Sequence, residues 1–248
     1  MSIKSQLGRA FTLVELLVVM AVIGILAALV FPALSAAKSK AGRTTCLNNT
    51  RQINLGVRMY CDDSHDALSA GKNPQVAYRE LVKNYVGVKG SSSAKDNIFA
   101  CPADTFYYDL TRSSNGYFNT WTAFFQPLHE NEHFDYSSYA FNGCNARSMP
   151  PSDVRLGIAG RKLTSIKNPA KTVLVAEWPA FDAYSWHAPR KPIGLSPGEK
   201  PMFKDAKAVV SFVDGHVSYV RIYWSEVCGR LAFGYDPPAG YDYKWSGD

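Results

Sequence analysis

The stretch A-F-T-L-V-E-L-L-V-V-M-A-V-I-G-I-L-A-A-L-V-F-P, Ala10 to Pro32, decides how the rest of the chain is read. From Phe11 to Phe31 it runs for 21 residues without Lys, Arg or Asp, and its one charged residue is Glu15. At about 1.5 Å per residue such a run makes a helix of about 31 Å, enough to cross the hydrocarbon core of a bilayer. A cleaved secretory signal has an apolar region of only about 7–15 residues ending in a small-residue site, so this run is too long for one. The expectation is a membrane helix. A carboxylate within it costs roughly 2.5–3.5 kcal/mol at the helix centre and less toward an end. Glu15 therefore either snorkels to the interface or meets a partner cation.

The segment G-R-A-F-T-L-V-E-L-L-V-V resembles the prepilin N-terminal cleavage and methylation motif of type IV pilins and type II secretion pseudopilins. The resemblance implies that a prepilin peptidase cuts between Ala10 and Phe11 and that Phe11 becomes N-methylated. It implies too that Glu15 pairs with the terminal amine of a neighbouring subunit. Gly24 and Pro32 fall where helices of this family carry helix-weakening residues; Ala10 stands where Gly is usual, but is also small. The implied layout is a leader over 1–10, a transmembrane and polymerisation helix over 11–36, and a head over 37–248. The implied fold is α+β and pilin-like, a long N-terminal helix with a membrane half and an amphipathic half, packed on an antiparallel β-sheet. The implied partners are other pilin or pseudopilin subunits, the prepilin peptidase and the inner-membrane assembly machinery. Physical chemistry points the same way. A carboxylate and an ammonium buried together satisfy two charges that would each be costly alone. Gly24 costs about 1 kcal/mol of helix propensity relative to Ala, and Pro32 removes a backbone donor.

Beyond the helix, the 248-residue chain leaves room for one globular domain of about 200 residues. The chain is 46% hydrophobic and 19% charged, and its 14 Tyr and 13 Phe suit a β-containing extracytoplasmic domain. Net charge is +6, of which Lys4 and Arg9 in the leader supply two. Lys38, Lys40 and Arg43 follow the apolar run, so the positive-inside rule does not orient it. The prepilin resemblance does: leader in the cytoplasm, single pass through the inner membrane, head periplasmic or extracellular. No clustered basic stripe argues for nucleic acid. Cys46, Cys61, Cys101, Cys144 and Cys228 would then lie in a disulfide-permissive space, with at least one unpaired. Any four of them pair in three ways, so spacing leaves the connectivity open. Cys46 and Cys61 cannot pair on one straight helix, where they stand about 22 Å apart.

Past Pro32 the helical pattern continues, with Ile53, Val57 and Tyr60, and Leu47 further back, forming an apolar stripe that needs a sheet to lie on. It ends near C-D-D-S-H-D. Asp62, Asp63 and Asp66 there are candidate Ca²⁺ ligands, against the plainer reading of a solvated helix end. A second helix is expected from Pro74 to Tyr85, with Asn73 as N-cap, Tyr78, Leu81, Val82 and Tyr85 as its face, and Gly87 as its stop. Strands are expected in Y-S-S-Y-A-F-N-G and over Lys171 to Glu177. The strongest β signal is A-V-V-S-F-V-D-G-H-V-S-Y-V-R-I-Y. A two-residue turn at Asp214-Gly215 would pair Phe212 with Val217 and Val210 with Tyr219 on the core face. The aromatic tail containing Pro237 and Pro238 reads as irregular, packed by its rings.

L-N-N-T-R-Q-I-N-L-G-V-R-M-Y-C-D-D, F-A-C-P-A-D, S-Y-A-F-N-G and V-S-F-V-D-G-H-V also resemble segments of a large family of prepilin-like proteins. That family is named for a C-terminal His-x9-Asp-Gly signature. The residue ten before Asp214 is Lys204, not His, so no role of that His carries over. Cys46 and Cys101 fall at or beside two of these segments, which points to a Cys46–Cys101 bridge.

His129-Glu130-Asn131-Glu132-His133 satisfies the H-E-x-x-H string of zinc peptidases. That chemistry needs both histidines on one face of a helix; Pro127 and the polar intervening residues favour a surface loop. Asp214 and His216 are a further candidate metal pair, against a reading as turn residues. No G-x-S-x-G, P-loop or G-x-G-x-x-G motif is present. Cys101 ahead of Pro102 reads as a disulfide partner rather than a nucleophile. The expectation is a structural subunit, without enzyme activity or cofactor. The rival is a membrane-tethered binding or zinc-hydrolase domain that uses a prepilin signal for export.

Overall fold

A computed structural model of the chain describes residues 12–69, 74–112, 118–143, 157–182, 184–188, 206–224 and 235–248. The first element, α1, is a single 51-residue helix, Leu13–Asp63, with Pro32 inside it. The chain divides into two compact units, Met1–Ala41 and Gly42–Asp248. In the first unit the helix carries exposed apolar side chains, among them Leu13, Leu17, Met20, Ile25, Leu29 and Phe31.

The second unit is α+β. It holds the rest of α1, a short helix α2 (Pro74–Val82) and a one-turn helix α3 (Pro179–Asp182). Strands β1 (Tyr107–Arg112) and β2 (Phe118–Phe124) form an antiparallel pair. A four-stranded antiparallel sheet is built from β3 (Tyr139–Phe141), β4 (Val173–Glu177), β5 (Lys207–Phe212) and β6 (Val217–Arg221), in that order. Strand β4 reads V-L-V-A-E and is buried at all five positions, as expected of a strand covered on both faces. Strand β5 shows the same burial from Ala208 to Phe212.

Two apolar clusters account for that burial. Val175, Val209 and Val213 join Cys46, Ile53, Val57 and Cys61 of α1. Val173, Val210 and Phe212 join Phe181, Tyr243 and Trp245. The C-terminal segment thus supplies the second cover, as its rings suggested. It is held by backbone bonds from Val173 N to Lys244 O (2.9 Å) and from Lys244 N to Lys171 O (2.7 Å). Asn142 Nδ2 donates to both Val173 O and Trp245 O.

The buried stripe of α1 is broader and more polar than its apolar residues suggest. It comprises Cys46, Asn49, Thr50, Ile53, Asn54, Gly56, Val57 and Cys61, while Tyr60 and Leu47 are only partly buried. Thr50 Oγ1 donates to Cys46 O within the helix, whereas the two asparagines reach carbonyls of other segments. Asn49 Nδ2 donates to Asn97 O and Ala100 O, and Asn54 Nδ2 to Phe212 O at 2.8 Å. Arg58 Nη1 reaches Val213 O at 3.1 Å. Asn49 and Asn54 of the N-N-T-R-Q-I-N stretch are therefore side-chain caps for the segments that meet the helix.

Three expectations need correction. The β5–β6 hairpin closes through three residues, Val213 to Gly215, not two. Phe212 N donates to His216 O, Gly215 takes φ 101°, and Val209 pairs with Tyr219 and Ser211 with Val217. A three-residue loop ending in a left-handed Gly shifts the register by one from the two-residue turn. Phe212 and Val210 consequently join the cluster of the C-terminal segment rather than that of α1. Helix α2 ends at Val82 and tightens into a 3-10 turn, Lys83–Val86, before Gly87 stops it at φ 80°. Its proposed N-cap Asn73 lies outside the described residues. The strand expected from Lys171 begins at Val173, because Lys171 N and Thr172 N both bond back to Asn168 O in a turn.

Candidate functional site

At the N-terminus the geometry is that of a capping box. Thr12 stands just before Leu13, the first residue of α1, so Glu15 is the third helical position. Glu15 Oε2 accepts from Thr12 N (2.9 Å) and from Thr12 Oγ1 (2.8 Å), and Glu15 N donates back to Thr12 Oγ1 at 3.2 Å. Two orphan amides of the helix start are satisfied reciprocally. The string T-L-V-E carried this signal, and reading Glu15 only as an assembly residue passes over it. Ala10 and Phe11 lie outside the described residues.

Further along, Gly24 has open space where a Cβ would sit, with nothing within 4 Å. Pro32 lies within continuous helix rather than at its end. Among the described residues, α1 is the one helix long and apolar enough to cross a membrane, and its apolar window is wholly unburied. A soluble fold does not leave so large an apolar surface uncovered; lipid or neighbouring helices are its natural cover.

The remaining candidates sort out by what they touch. Cys46 on α1 and Cys101, after the 3-10 turn Asn97–Phe99, form a disulfide with Cα atoms 5.4 Å apart. Cys61 is a buried free thiol; Cys144 and Cys228 lie outside the described residues, as does Lys204. His129 and Glu130 sit in one 3-10 turn, Leu128–Glu130, and His133 in another, Glu132–Phe134. The two histidines thus lack the common α-helical face that H-E-x-x-H chemistry requires. His129 Nδ1 instead meets Asp104 Oδ2 at 2.9 Å, and that carboxylate also accepts from Ser138 Oγ and Leu128 N. Asp104 organises the loop.

His216 Nδ1 lies 2.7 Å from Asp214 Oδ1, which also accepts His216 N, so this pair closes the hairpin turn. Asp63 accepts the Tyr85 hydroxyl at 2.8 Å, and Asp66 accepts Thr164 N and its hydroxyl. The Thr164 hydroxyl bond leads the causes that hold the Asp66 carboxyl below its usual value. These acids cap neighbouring segments instead of converging on one cation. Two residues that sequence reasoning missed stand beside the disulfide: Glu177 at the end of β4 and His187 after α3. A carboxylate closing the apolar run V-L-V-A was a legible anomaly; nothing in the sequence singled out His187.

No curated protein and no solved structure matches this chain. Residues 8–31 match the family model of the prokaryotic N-terminal methylation motif, so the candidate site is a prepilin-type signature of pilin- and pseudopilin-like proteins.

Proposed function

We propose that this chain is a structural subunit of a type II secretion pseudopilus or a type IV pilus-like filament. The reading is carried by one observation: the methylation motif over residues 8–31 opens a helix whose apolar side chains are exposed. A prepilin peptidase removes residues 1–10 and Phe11 is N-methylated. The helix anchors the subunit in the inner membrane and then packs against the helices of other subunits in the filament. The membrane and the inner-membrane assembly machinery are its partners until it is extracted. The head faces the periplasm or the exterior, where a Cys46–Cys101 disulfide is at home. Assembly rather than catalysis is the activity, with Glu15 pairing the terminal amine of a neighbour. Mass spectrometry of the mature N-terminus tests it. The expected species begins at Phe11 and carries one added methyl group; an intact leader in cells that possess a prepilin peptidase overturns the reading.

A further inference from the structure

Beside the disulfide lies a group of side chains that assembly does not need. Glu177 ends β4 with its side chain fully buried, and the His187 side chain is 1% exposed. His187 Nε2 stands 2.7 Å from Glu177 Oε1, while Glu177 Oε2 accepts Val209 N at 2.8 Å. Cys101 Sγ lies 3.3 Å from Glu177 Oε1 and 3.7 Å from His187 Nε2. One ligand atom from each of Cys46, Cys101, Glu177 and His187 falls within 4.8 Å of all the others.

In the disulfide state this arrangement is unproductive for the sulfur. A disulfide sulfur has no proton to donate, so a carboxylate oxygen placed against it gains no hydrogen bond. Burying a carboxylate with an imidazole is costly unless every partner is satisfied.

The same four side chains suit a divalent metal. A tetrahedral zinc site with bonds of about 2.0–2.3 Å has ligand–ligand separations of about 3.3–3.8 Å. The two Cys101 separations already fall in that range. The two sulfurs, and the imidazole and carboxylate, would have to open apart, and Cys46 lies within 4.8 Å of both of the latter. Two thiolates with an imidazole and a carboxylate form a soft, mixed donor set that selects zinc over the hard cations. Burial on all sides and four protein ligands make the site closed and structural, with no open position for substrate.

The geometry points to a redox-exclusive zinc site: Cys46, Cys101, Glu177 and His187 hold Zn²⁺ when the cysteines are reduced, and the disulfide replaces the metal when they are oxidised. The exchange balances. A dithiol reductant gives two electrons to the Cys46–Cys101 bond and itself becomes a disulfide. The two cysteines then bind Zn²⁺ as thiolates, and two protons are released. Run backward, a disulfide oxidant of the exporting compartment removes two electrons, reforms the bond, takes up two protons and frees the metal. Either state ties α1 to the Cys101 loop, so the contact holds under reducing as well as oxidising conditions. This inference is independent of filament assembly, because all four residues lie in Gly42–Asp248.

The test uses the full chain in detergent, with Cys61, Cys144 and Cys228 changed to Ser so that only the two site cysteines remain. Reduced anaerobically, it is titrated with Co²⁺ and then Zn²⁺. The expected result is one Co²⁺ per chain with a thiolate-to-cobalt charge-transfer band, displaced by Zn²⁺, and none in the oxidised protein. His187→Ala and Glu177→Gln should each weaken binding by at least about tenfold. No charge-transfer band on reduction overturns the proposal, as does binding indifferent to both substitutions. Should reduction alone unfold the head, stoichiometric Zn²⁺ must restore its near-ultraviolet circular dichroism; failure to do so overturns the proposal as well.

Discussion

Glu15 has a cap that the structure shows and an assembly contact that is proposed, and different substitutions separate them. It caps α1 through Thr12, accepting the Thr12 amide and hydroxyl at the helix start. In a filament it would also answer a buried terminal amine, and an uncompensated buried charge costs roughly 3–5 kcal/mol. Thr12→Ala removes part of the cap and keeps the charge, so assembly is expected to persist. Glu15→Ala removes both, and polymer yield, measured by crosslinking in cells with the assembly machinery, is expected to collapse while the head still folds. Equal loss from the two substitutions would reduce Glu15 to a helix cap. At Cys61 the prediction concerns alkali. Burial first, then Asp66 and Asp62, push its thiol up to about 11 from 9.0. The folded chain keeps a proton that the unfolded chain loses, so this stability is complete below pH about 9 and falls as pH rises toward about 11. Thermal melts across that window should show the decline. A maleimide at pH 8 should leave Cys61 unlabelled until denaturant is added.

Elements meet in this fold through close approaches that sequence patterns do not display. A Cβ on Gly56 would lie 2.7 Å from Val86 Cγ1, in the 3-10 turn that ends α2. Alanine there gains about 1 kcal/mol of helix propensity and loses about 1–3 kcal/mol to overpacking. Because Val86 is β-branched and its turn is stopped by a left-handed Gly87, overpacking is expected to win by about 1 kcal/mol. Denaturant titration of Gly56→Ala, alone and with Val86→Ala, measures this. The double variant should recover the loss, since the clash is with that side chain. The β5–β6 hairpin makes a related point. Asp-Gly announced a turn, yet two- and three-residue loops share that dipeptide, and only the bond from Phe212 N to His216 O selects the longer one.

At the scale of the molecule, the Cys46–Cys101 bond closes a loop of 55 residues. Chain-entropy estimates give such a crosslink about 4 kcal/mol. Replacing both cysteines by Ala should therefore lower stability by that order in an oxidising buffer, read from denaturant midpoints. The sequence by itself determined the membrane-length helix, the methylation motif, the α+β class and the strands β4, β5 and β6. The helix and the strands rest on composition or periodicity within one short window, where local burial and backbone preference act without help from afar; the motif and the α+β class were read through resemblance. The Cys46–Cys101 pairing was legible only through resemblance, because spacing leaves the partners of five cysteines open. Tertiary structure alone decided the rest: Asn49 and Asn54 as caps for distant carbonyls, Asp104 as the keeper of the His129 turn, and Glu177 with His187 beside the bridge. These contacts join residues 10 to 158 positions apart. Their worth depends on burial, which exists only after the helix and both sides of the sheet have closed around them.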